Sequence, residues 1–347
     1  MGPKFKGTPQ ARPAQSAAAV KTQAKLNEAI TLHQQGRLEQ AKAIYEAILT
    51  GNPKHADALH LLGLVAKQSQ NPQLAADLMG GAIDINPGNA VYYSNRGNAL
   101  LELKQYEDAI TSYAQAISIK PEMAQAHSNL GNALLGLKQY EYAVASYDKA
   151  INLKPDYAEA HYNRGNALQG LKQYEDATTS YDKAISFKSN YADAHYNRGS
   201  ALLELKRYED AVASYDKAIS LKPDYAEAYS NRGNALQGLK QYEDAVASYD
   251  KAISFKLDYA EAHNNCGNAL LELKRYEDAV ASYWRALSLQ PYYTDAHYHL
   301  GNALLALKQF DAAAVSYQQT LKLQPDHTDA YNNLGNALIE LRQLDAA

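Results

Sequence analysis

Apolar and polar positions alternate along this chain with the period of an amphipathic α-helix. One apolar set runs from Ala228 through Gly233 to Leu239, and a second runs from Tyr242 through Tyr249, both at spacings of three and four residues. Each set forms one apolar stripe on a helix, with polar residues on the opposite face. Because the stripes are separated by only a few residues, the pattern predicts two antiparallel helices joined by a tight turn.

This pair of predicted helices recurs with a period of 34 residues. Segments 158–191 and 226–259 differ at only six of those 34 positions. A single hairpin cannot bury its own apolar face, so the hairpins must stack on one another. We therefore predict an all-α solenoid of about ten helix-turn-helix repeats over residues 22–347, the last one incomplete. The repeats begin near Thr22, Ala56, Ala90, Ala124, Ala158, Ala192, Ala226, Ala260, Thr294 and Thr328.

The boundary between repeats also has a recognisable sequence. Pro223 is expected to end the preceding helix, because proline cannot continue its hydrogen-bond ladder. Asp224 is then predicted to be the N-cap of the next helix, with Glu227 completing an arrangement like a capping box.

A row of glycines marks the first helix of nearly every repeat. Glycine in a helix costs about 1 kcal/mol relative to alanine, so a row in register predicts close approach of the partner helix. Its members are Gly63, Gly97, Gly131, Gly165, Gly199, Gly233, Gly267, Gly301 and Gly335.

These fixed positions resemble the tetratricopeptide repeat (TPR) family from about residue 22 to residue 347. The resemblance implies a right-handed superhelix with a concave groove that is lined mainly by the first helices. The first repeat departs from the pattern, with Ala29 in the glycine row, and lysines such as Lys172 replace a common turn glycine. The family pattern appears here as His161, Gly165, Leu168, Ala177, Tyr181 and Ala184, with Ser189 where proline is usual.

Two rows of asparagines lie off the apolar stripe of the first helices and are candidates for peptide binding. An asparagine amide can pair with both the N–H and the C=O of an extended peptide. The first row is Asn95, Asn129, Asn163, Asn197, Asn231, Asn265 and Asn333, with His299 in the gap. The second row is Asn98, Asn132, Asn166, Asn234, Asn268, Asn302 and Asn336, with Ser200 in the gap. The alternative is that these amides bond to neighbouring helices and order the stack.

Tyrosines near these rows add flat apolar area with a polar tip, as binding surfaces favour. They are Tyr93, Tyr162, Tyr196 and Tyr298. Some TPR proteins, including the O-linked N-acetylglucosamine transferase, have an asparagine ladder similar to the first row. Another TPR groove clamps a C-terminal carboxylate with lysines. The corresponding positions here hold Tyr162, Tyr196, Ser230 and Asn264, which argues against such a clamp.

Arginines replace a leucine of the first helix in several repeats. Their stems can pack while the guanidinium reaches the edge. One interpretation is an ion pair with a carboxylate of a neighbouring helix, and the other is a basic strip for acidic partners. The arginines are Arg96, Arg164, Arg198 and Arg232. Cys266 has the same place in its own repeat, where we interpret it as a small apolar substitute.

Composition narrows the classes of function. The formal net charge is −4, so nothing suggests nucleic acid as a partner. The single cysteine excludes an internal disulfide framework, and no apolar run is long enough to insert into a membrane. We expect a cytoplasmic protein without cofactor, metal or catalytic residues. Residues 1–21, rich in proline, alanine and basic side chains, are predicted to be a disordered tail.

These observations favour a noncatalytic scaffold that binds an extended peptide or a partner helix in its groove. The alternative is the substrate-recruiting arm of a larger enzyme, such as a protein O-glycosyltransferase. The chain stops inside a repeat without a polar cap, so we expect further repeats or another domain beyond residue 347. End-to-end self-association through the uncapped end is a weaker hypothesis.

Overall fold

The computed structural model describes residues 17–341, and within them it contains only α-helices and the turns that join them. In chain order the helices are α1 (Ala17–Gln34), α2 (Leu38–Gly51), α3 (Ala56–Gln68), α4 (Pro72–Ile85), α5 (Ala90–Glu102), α6 (Tyr106–Ile119), α7 (Ala124–Gly136), α8 (Tyr140–Leu153), α9 (Ala158–Gly170), α10 (Tyr174–Phe187), α11 (Ala192–Glu204), α12 (Tyr208–Leu221), α13 (Ala226–Gly238), α14 (Tyr242–Phe255), α15 (Ala260–Glu272), α16 (Tyr276–Leu289), α17 (Thr294–Ala306), α18 (Phe310–Leu323) and α19 (Thr328–Glu340). From Ala56 onward, the first helix of every repeat begins at the residue predicted from the sequence. The all-α repeat fold is therefore confirmed, and the handedness of the superhelix stays a prediction.

The described helices form two compact units, which divide between Pro155 and Asp156. Within each unit, a first helix packs against the second helix of its own hairpin, and that second helix packs against the next first helix. First helices of successive repeats also contact each other directly, as α11 and α13 do. Within the described part of either unit, second helices of successive repeats make no such contact. The stack in each unit therefore curves around its first helices, which form the inner face.

A buried tyrosine of the second helix explains the glycine row. Tyr181 has no exposed surface, and its ring lies directly on Gly165. A Cβ atom added to Gly165 would lie 2.5 Å from Cε1 of Tyr181. The predicted close approach is confirmed, since the same ring-on-glycine contact occurs at Gly97, Gly131, Gly199, Gly233, Gly267 and Gly301.

Each first helix from α5 to α17 ends in a turn whose lysine has a left-handed backbone. Lys172 has φ +60°, and the next residue, Gln173, donates its N–H to the carbonyl of Leu168 at 2.9 Å. This hydrogen bond is that of a Schellman motif, in which glycine is usual because a Cβ is disfavoured there. The prediction that lysine replaces the turn glycine at the cost of some strain agrees with this geometry.

Two arginines of the first helices form ion pairs with aspartates of the second helices. Nε of Arg198 donates to Asp182 at 2.6 Å, and Nε of Arg232 donates to Asp216 at 2.6 Å. In both cases Nη1 also donates to a serine of the second helix. The ion-pair interpretation is therefore confirmed for these two residues.

Two residues at this position of the first helix depart from the pattern, one of them a cysteine. Arg96 has Gly80 where the other repeats have the aspartate, and its buried Nε has no hydrogen-bond partner in the described part of the chain. Cys266 is buried among apolar residues, and burial raises the pKa of its thiol to about 12, so it remains a thiol near neutral pH. This agrees with its interpretation as a small apolar substitute.

One predicted helix cap and one predicted helix start differ from the structure. Helix α13 begins at Ala226 with Tyr225 as its N-cap, without a side-chain hydrogen bond at the cap. The predicted capping by Asp224 is therefore wrong, because the residue at the cap is Tyr225, whose ring packs on Tyr196 of the preceding repeat. Helix α1 begins at Ala17, so Ala17–Lys21 are helical rather than part of a disordered tail, in keeping with their alanine content. The rest of the predicted tail lies outside the described residues.

Candidate functional site

The predicted asparagine rows lie on the inner face of the first helices. Every member of both rows from Asn95 to Asn333 is half-buried, and Asn336 is exposed. Half-buried amides can bond to neighbouring helices and still contact a ligand, so their hydrogen bonds decide between the two interpretations.

In each row, one of the two polar atoms of the amide group bonds to a neighbouring repeat. In the C-terminal unit, Oδ1 of Asn166 accepts from the hydroxyl of Tyr181 at 2.9 Å and from Nδ2 of Asn197 in the next repeat, also at 2.9 Å. Oδ1 of Asn302 accepts in the same way from Tyr317 at 2.8 Å and from Asn333 at 3.0 Å. The stack-ordering interpretation is therefore confirmed for Oδ1 of the second row and Nδ2 of the first row.

The other amide atom of several asparagines remains available. Oδ1 of Asn197 and of Asn333 has no hydrogen-bond donor among the described residues. Nδ2 of Asn268 and of Asn302 has no acceptor there. The expectation that one amide pairs with both groups of a peptide needs correction at these four asparagines, because one atom of each amide already bonds within the stack. Asn197 and Asn333 of the first row therefore offer acceptors, and Asn268 and Asn302 of the second row offer donors.

Three of the predicted tyrosines stand beside these rows. The ring centroid of Tyr162 lies 4.7 Å from that of Tyr191, which precedes the next first helix. The hydroxyl of Tyr162 accepts from Nδ2 of Asn197 at 3.0 Å. Tyr196 and Tyr298 have equivalent places and accept from Asn231 and Asn333.

Tyr93 does not belong with these three tyrosines. It lies one residue earlier in its helix, in the place that Tyr229 has in α13. The ring of Tyr229 stacks on Phe255 of the second helix at 5.7 Å. The grouping of Tyr93 with the inner-face tyrosines is therefore not supported by its register.

A further set of inner-face tyrosines was not predicted from the sequence. Each member directly precedes a first helix, and two of them pack on the tyrosine of the preceding repeat: Tyr191 on Tyr162 at 4.7 Å and Tyr225 on Tyr196 at 4.8 Å. The ammonium of Lys222 lies 4.3 Å from the ring centroid of Tyr225. The signal was a tyrosine that recurs just before helix starts, at Tyr157, Tyr191, Tyr225, Tyr259 and Tyr293.

Carboxylates face these rings. Asp193, the second residue of α11, accepts from the hydroxyl of Tyr225 at 3.3 Å. Burial raises the pKa of Tyr225, and the negative charge of Asp193 raises it further. Burial likewise raises the pKa of Tyr293, with Glu261 and Asp295 adding to it. Rings and carboxylates therefore share one surface.

In the N-terminal unit, His60 takes the place of the inner-face tyrosines. Its ring packs on Tyr92 at 4.7 Å between centroids, and its Nε2 bonds to Nδ2 of Asn95 at 2.8 Å. Burial lowers the pKa of His60 to about 4, against a smaller opposing effect of Asp57. The imidazole is therefore neutral near pH 7 and can accept the amide hydrogen through Nε2.

No group of three or more histidine, cysteine, aspartate or glutamate side chains within residues 17–341 could hold a metal ion. In the same range, none of the helices is long and apolar enough to cross a bilayer.

Comparison with known families gives matches along nearly the whole described chain. A family profile described as TPR repeat matches residues 97–138, 137–172, 171–206, 199–240, 238–274, 267–308 and 301–341. Two further profiles, both described as tetratricopeptide repeat, match residues 26–90 and 81–111. No curated protein sequence matches the chain.

Comparison with solved structures gives similar chains, of which three are described here. A tetratricopeptide repeat protein from Parabacteroides merdae is 18% identical, covers 72% of this chain and 99% of its own, and has a TM-score of 0.53. Pseudomonas aeruginosa pilF is 24% identical over 58% of this chain and 92% of its own, with a TM-score of 0.52. YrrB, a TPR protein with an unusual peptide-binding site, is 26% identical over 53% of this chain and 95% of its own, with a TM-score of 0.49.

Proposed function

The chain belongs to the tetratricopeptide-repeat family, and we propose that it is an interaction scaffold that binds an extended peptide along the inner face of its first helices. The observation that carries this proposal is the set of amide atoms left over after the repeats have bonded to one another. Oδ1 of Asn197 and of Asn333 can accept a peptide N–H, and Nδ2 of Asn268 and of Asn302 can donate to a peptide C=O.

The geometry favours an extended peptide over a helix. Adjacent packed helices lie about 8–10 Å apart, which corresponds to about three residues of an extended chain. An extended peptide presents unpaired N–H and C=O groups along its length, whereas a helix has already paired them internally. The leftover amides would therefore have backbone partners only in the extended case.

The tyrosines support the same proposal. Tyr162, Tyr196 and Tyr298 are half-buried rings on the inner face, each fixed by a neighbouring ring of the next repeat. A ring that is held in place before binding loses little further freedom when a peptide packs on it. Such rings give contact area without demanding one peptide sequence.

The proposal is tested by selecting peptides from a random 15-residue phage-displayed library and measuring the affinity of the selected peptides by fluorescence anisotropy. The double variant Asn268→Ser/Asn302→Ser removes two free donors and keeps a hydroxyl for the buried tyrosines. Tyr215 already bonds to a serine at position 200, at 3.3 Å. Two lost hydrogen bonds of about 1 kcal/mol each predict roughly tenfold weaker binding or more.

The control is Asn190→Ser, which makes the same change at an exposed residue between two repeats. It should leave peptide affinity unchanged. A library that gives no enriched peptide, or an affinity that the double variant leaves unchanged, contradicts the proposal. Selected peptides that bind only as helices contradict the extended form of it.

The alternative, a substrate-recruiting arm of a protein O-glycosyltransferase, uses the same inner face and rests on the first asparagine row. Its test is the gene that encodes the chain. A downstream domain that binds a nucleotide sugar would favour it, and more repeats or a stop codon would contradict it.

A further inference from the structure

The charge of the inner face differs between the two units. In the C-terminal unit the first helices carry acidic residues at their second position and often at their last. These are Glu159, Asp193, Glu227, Glu261, Asp295 and Asp329, followed by Glu204, Glu272 and Glu340. In the N-terminal unit, α3 has Asp57 at the second position, whereas α5 and α7 have Val91 and Gln125 there. The acidic residue at the end of α5, Glu102, is already paired there with Lys67 at 2.7 Å.

The basic residues of these same first helices do not neutralise the inner face. Arg198 and Arg232 extend to the second helices, where they pair with Asp182 and Asp216. Arg164 donates to Ser180 of its second helix at 2.7 Å. The first helices of the C-terminal unit therefore present many carboxylates inward and direct these guanidinium groups elsewhere.

Three lysines at the edge of the inner face show which ligand chemistry it accepts. The ammonium groups of Lys188, Lys222 and Lys256 lie 4.4, 4.3 and 4.7 Å from the ring centroids of Tyr191, Tyr225 and Tyr259. Lys256 also lies 3.6 Å from Glu227. A cation over a tyrosine ring and beside a carboxylate is favoured by both interactions. Three lysines cannot balance the nine carboxylates of the set defined above, so the face keeps an excess of negative charge.

A buried acceptor in the same face gives a second, independent observation. Asn264 has the place in α15 that Tyr162 has in α9, and its side chain is only 3% exposed. Its Oδ1 has no hydrogen-bond donor within the described chain. A buried acceptor without a partner costs free energy, and a ligand that carries donors would satisfy it.

We propose that the inner face of the C-terminal unit selects a basic extended segment of a partner protein, whose lysine or arginine side chains bind between the tyrosine rings and the carboxylates. The proposal rests on the peptide-binding function above and specifies its ligand. Because one repeat step corresponds to about three extended residues, basic residues spaced by three would meet the carboxylates of Asp193, Glu261 and Asp295 or their neighbours.

The peptides selected from the random library give the first test. Enriched sequences should carry a net positive charge, with lysine or arginine recurring about every third residue. Enriched sequences that are neutral or acidic overturn this inference and leave the proposed peptide-binding function intact. A library without enriched peptides overturns both.

The second test neutralises the face in the full chain. The triple variant Asp193→Asn, Glu261→Gln and Asp295→Asn should bind a selected basic peptide about tenfold more weakly, since each exposed ion pair contributes a few-fold. The matched control is Glu209→Gln, Glu243→Gln and Glu277→Gln, which makes the same charge change on exposed residues of the second helices.

The control should keep the wild-type affinity. Equal weakening by both triple variants would show that total charge, and not this face, attracts the peptide, and would overturn the inference. Binding to the wild type should also weaken more steeply with added sodium chloride than binding to the groove variant. Equal salt dependence of the two proteins would contradict the inference as well.

Discussion

Replacing Gly233 by alanine should destabilise the repeat stack, although alanine is the better helix former. A Cβ atom on Gly233 would lie 2.6 Å from Cε1 and 2.8 Å from Cδ1 of Tyr249. Carbon atoms in contact prefer about 3.5–4.0 Å, so the ring must retreat by about 1 Å. Tyr249 has no exposed surface, and its hydroxyl bonds to Asn234 at 2.8 Å, so it cannot move without disturbing its neighbours.

Three contributions set the expected change in the free energy of unfolding. Overpacking a core costs about 1–3 kcal/mol, and a weakened hydrogen bond to Asn234 costs about 1 kcal/mol. The better helix propensity of alanine returns about 1 kcal/mol. The free energy of unfolding should therefore fall by about 1–3 kcal/mol.

The assay is guanidinium denaturation followed by circular dichroism, with Gly335→Ala as the matched control. A Cβ atom at Gly335 meets nothing within 4 Å in the described part of the chain, so this variant should be neutral or stabilised by up to about 1 kcal/mol. The double variant Gly233→Ala/Tyr249→Leu should lose less free energy of unfolding than the two single variants together, because leucine is shorter and relieves the contact. A Gly233→Ala protein as stable as the control would refute the packing explanation of the glycine row.

Three further predictions concern stability. Gly80→Asp should place a carboxylate beside the unpaired Nε of Arg96 and raise the free energy of unfolding by about 0.5–1 kcal/mol. Gly80→Asn should raise it less, and equal gains would exclude the ion pair. Lys240→Asn should stabilise the turn by a few tenths of a kcal/mol, since asparagine tolerates its φ of +60° better; a lower denaturation midpoint would contradict this. The pKa of His60 in the folded protein is about 4, below the usual 6.5, because burial favours the neutral ring. The contribution of His60 to the free energy of unfolding is therefore fully present above pH 6.5 and is lost as the pH falls toward 4. At pH 5 the expected loss is about 2 kcal/mol, and His60→Gln should remove that part of the pH dependence of stability; an unchanged profile would contradict the assignment.

The near-identity of the repeats made the starts of the first helices from Ala56 onward predictable to the residue. Each repeat supplies the same apolar stripes, so the starts at Ala56 and Ala226 followed from register alone. The glycine row was interpretable because a costly residue in register requires a steric reason. The structure identifies that reason as a tyrosine ring sixteen residues later, as with Gly165 and Tyr181.

The hydrogen bonds of the asparagines could not be predicted in the same way. Asn197 bonds to Asn166, thirty-one residues earlier, and such a bond depends on how one repeat rests on the previous one. Sequence spacing places both residues on one face but does not say which amide atom is used. The choice between peptide contact and stacking therefore needed coordinates, which show stacking bonds in both rows and leave one amide atom available in Asn197, Asn268, Asn302 and Asn333.

The missed tyrosines have a similar cause. Local propensity favours aspartate as an N-cap, which pointed to Asp224. The structure has Tyr225 at the cap instead, with its ring packed on Tyr196. A residue type that recurs at a boundary without a local explanation was the available signal for tertiary contact.

The central claim is that a peptide lies along the inner face of the first helices of the C-terminal unit. Hydrogen–deuterium exchange of the full chain, with and without a selected peptide, tests it most directly. Binding along the inner face predicts slower exchange of the backbone amide hydrogens of α11, α13 and α15, with little change in α12 and α14. Slower exchange confined to the second helices, or none at a saturating peptide concentration, would contradict it.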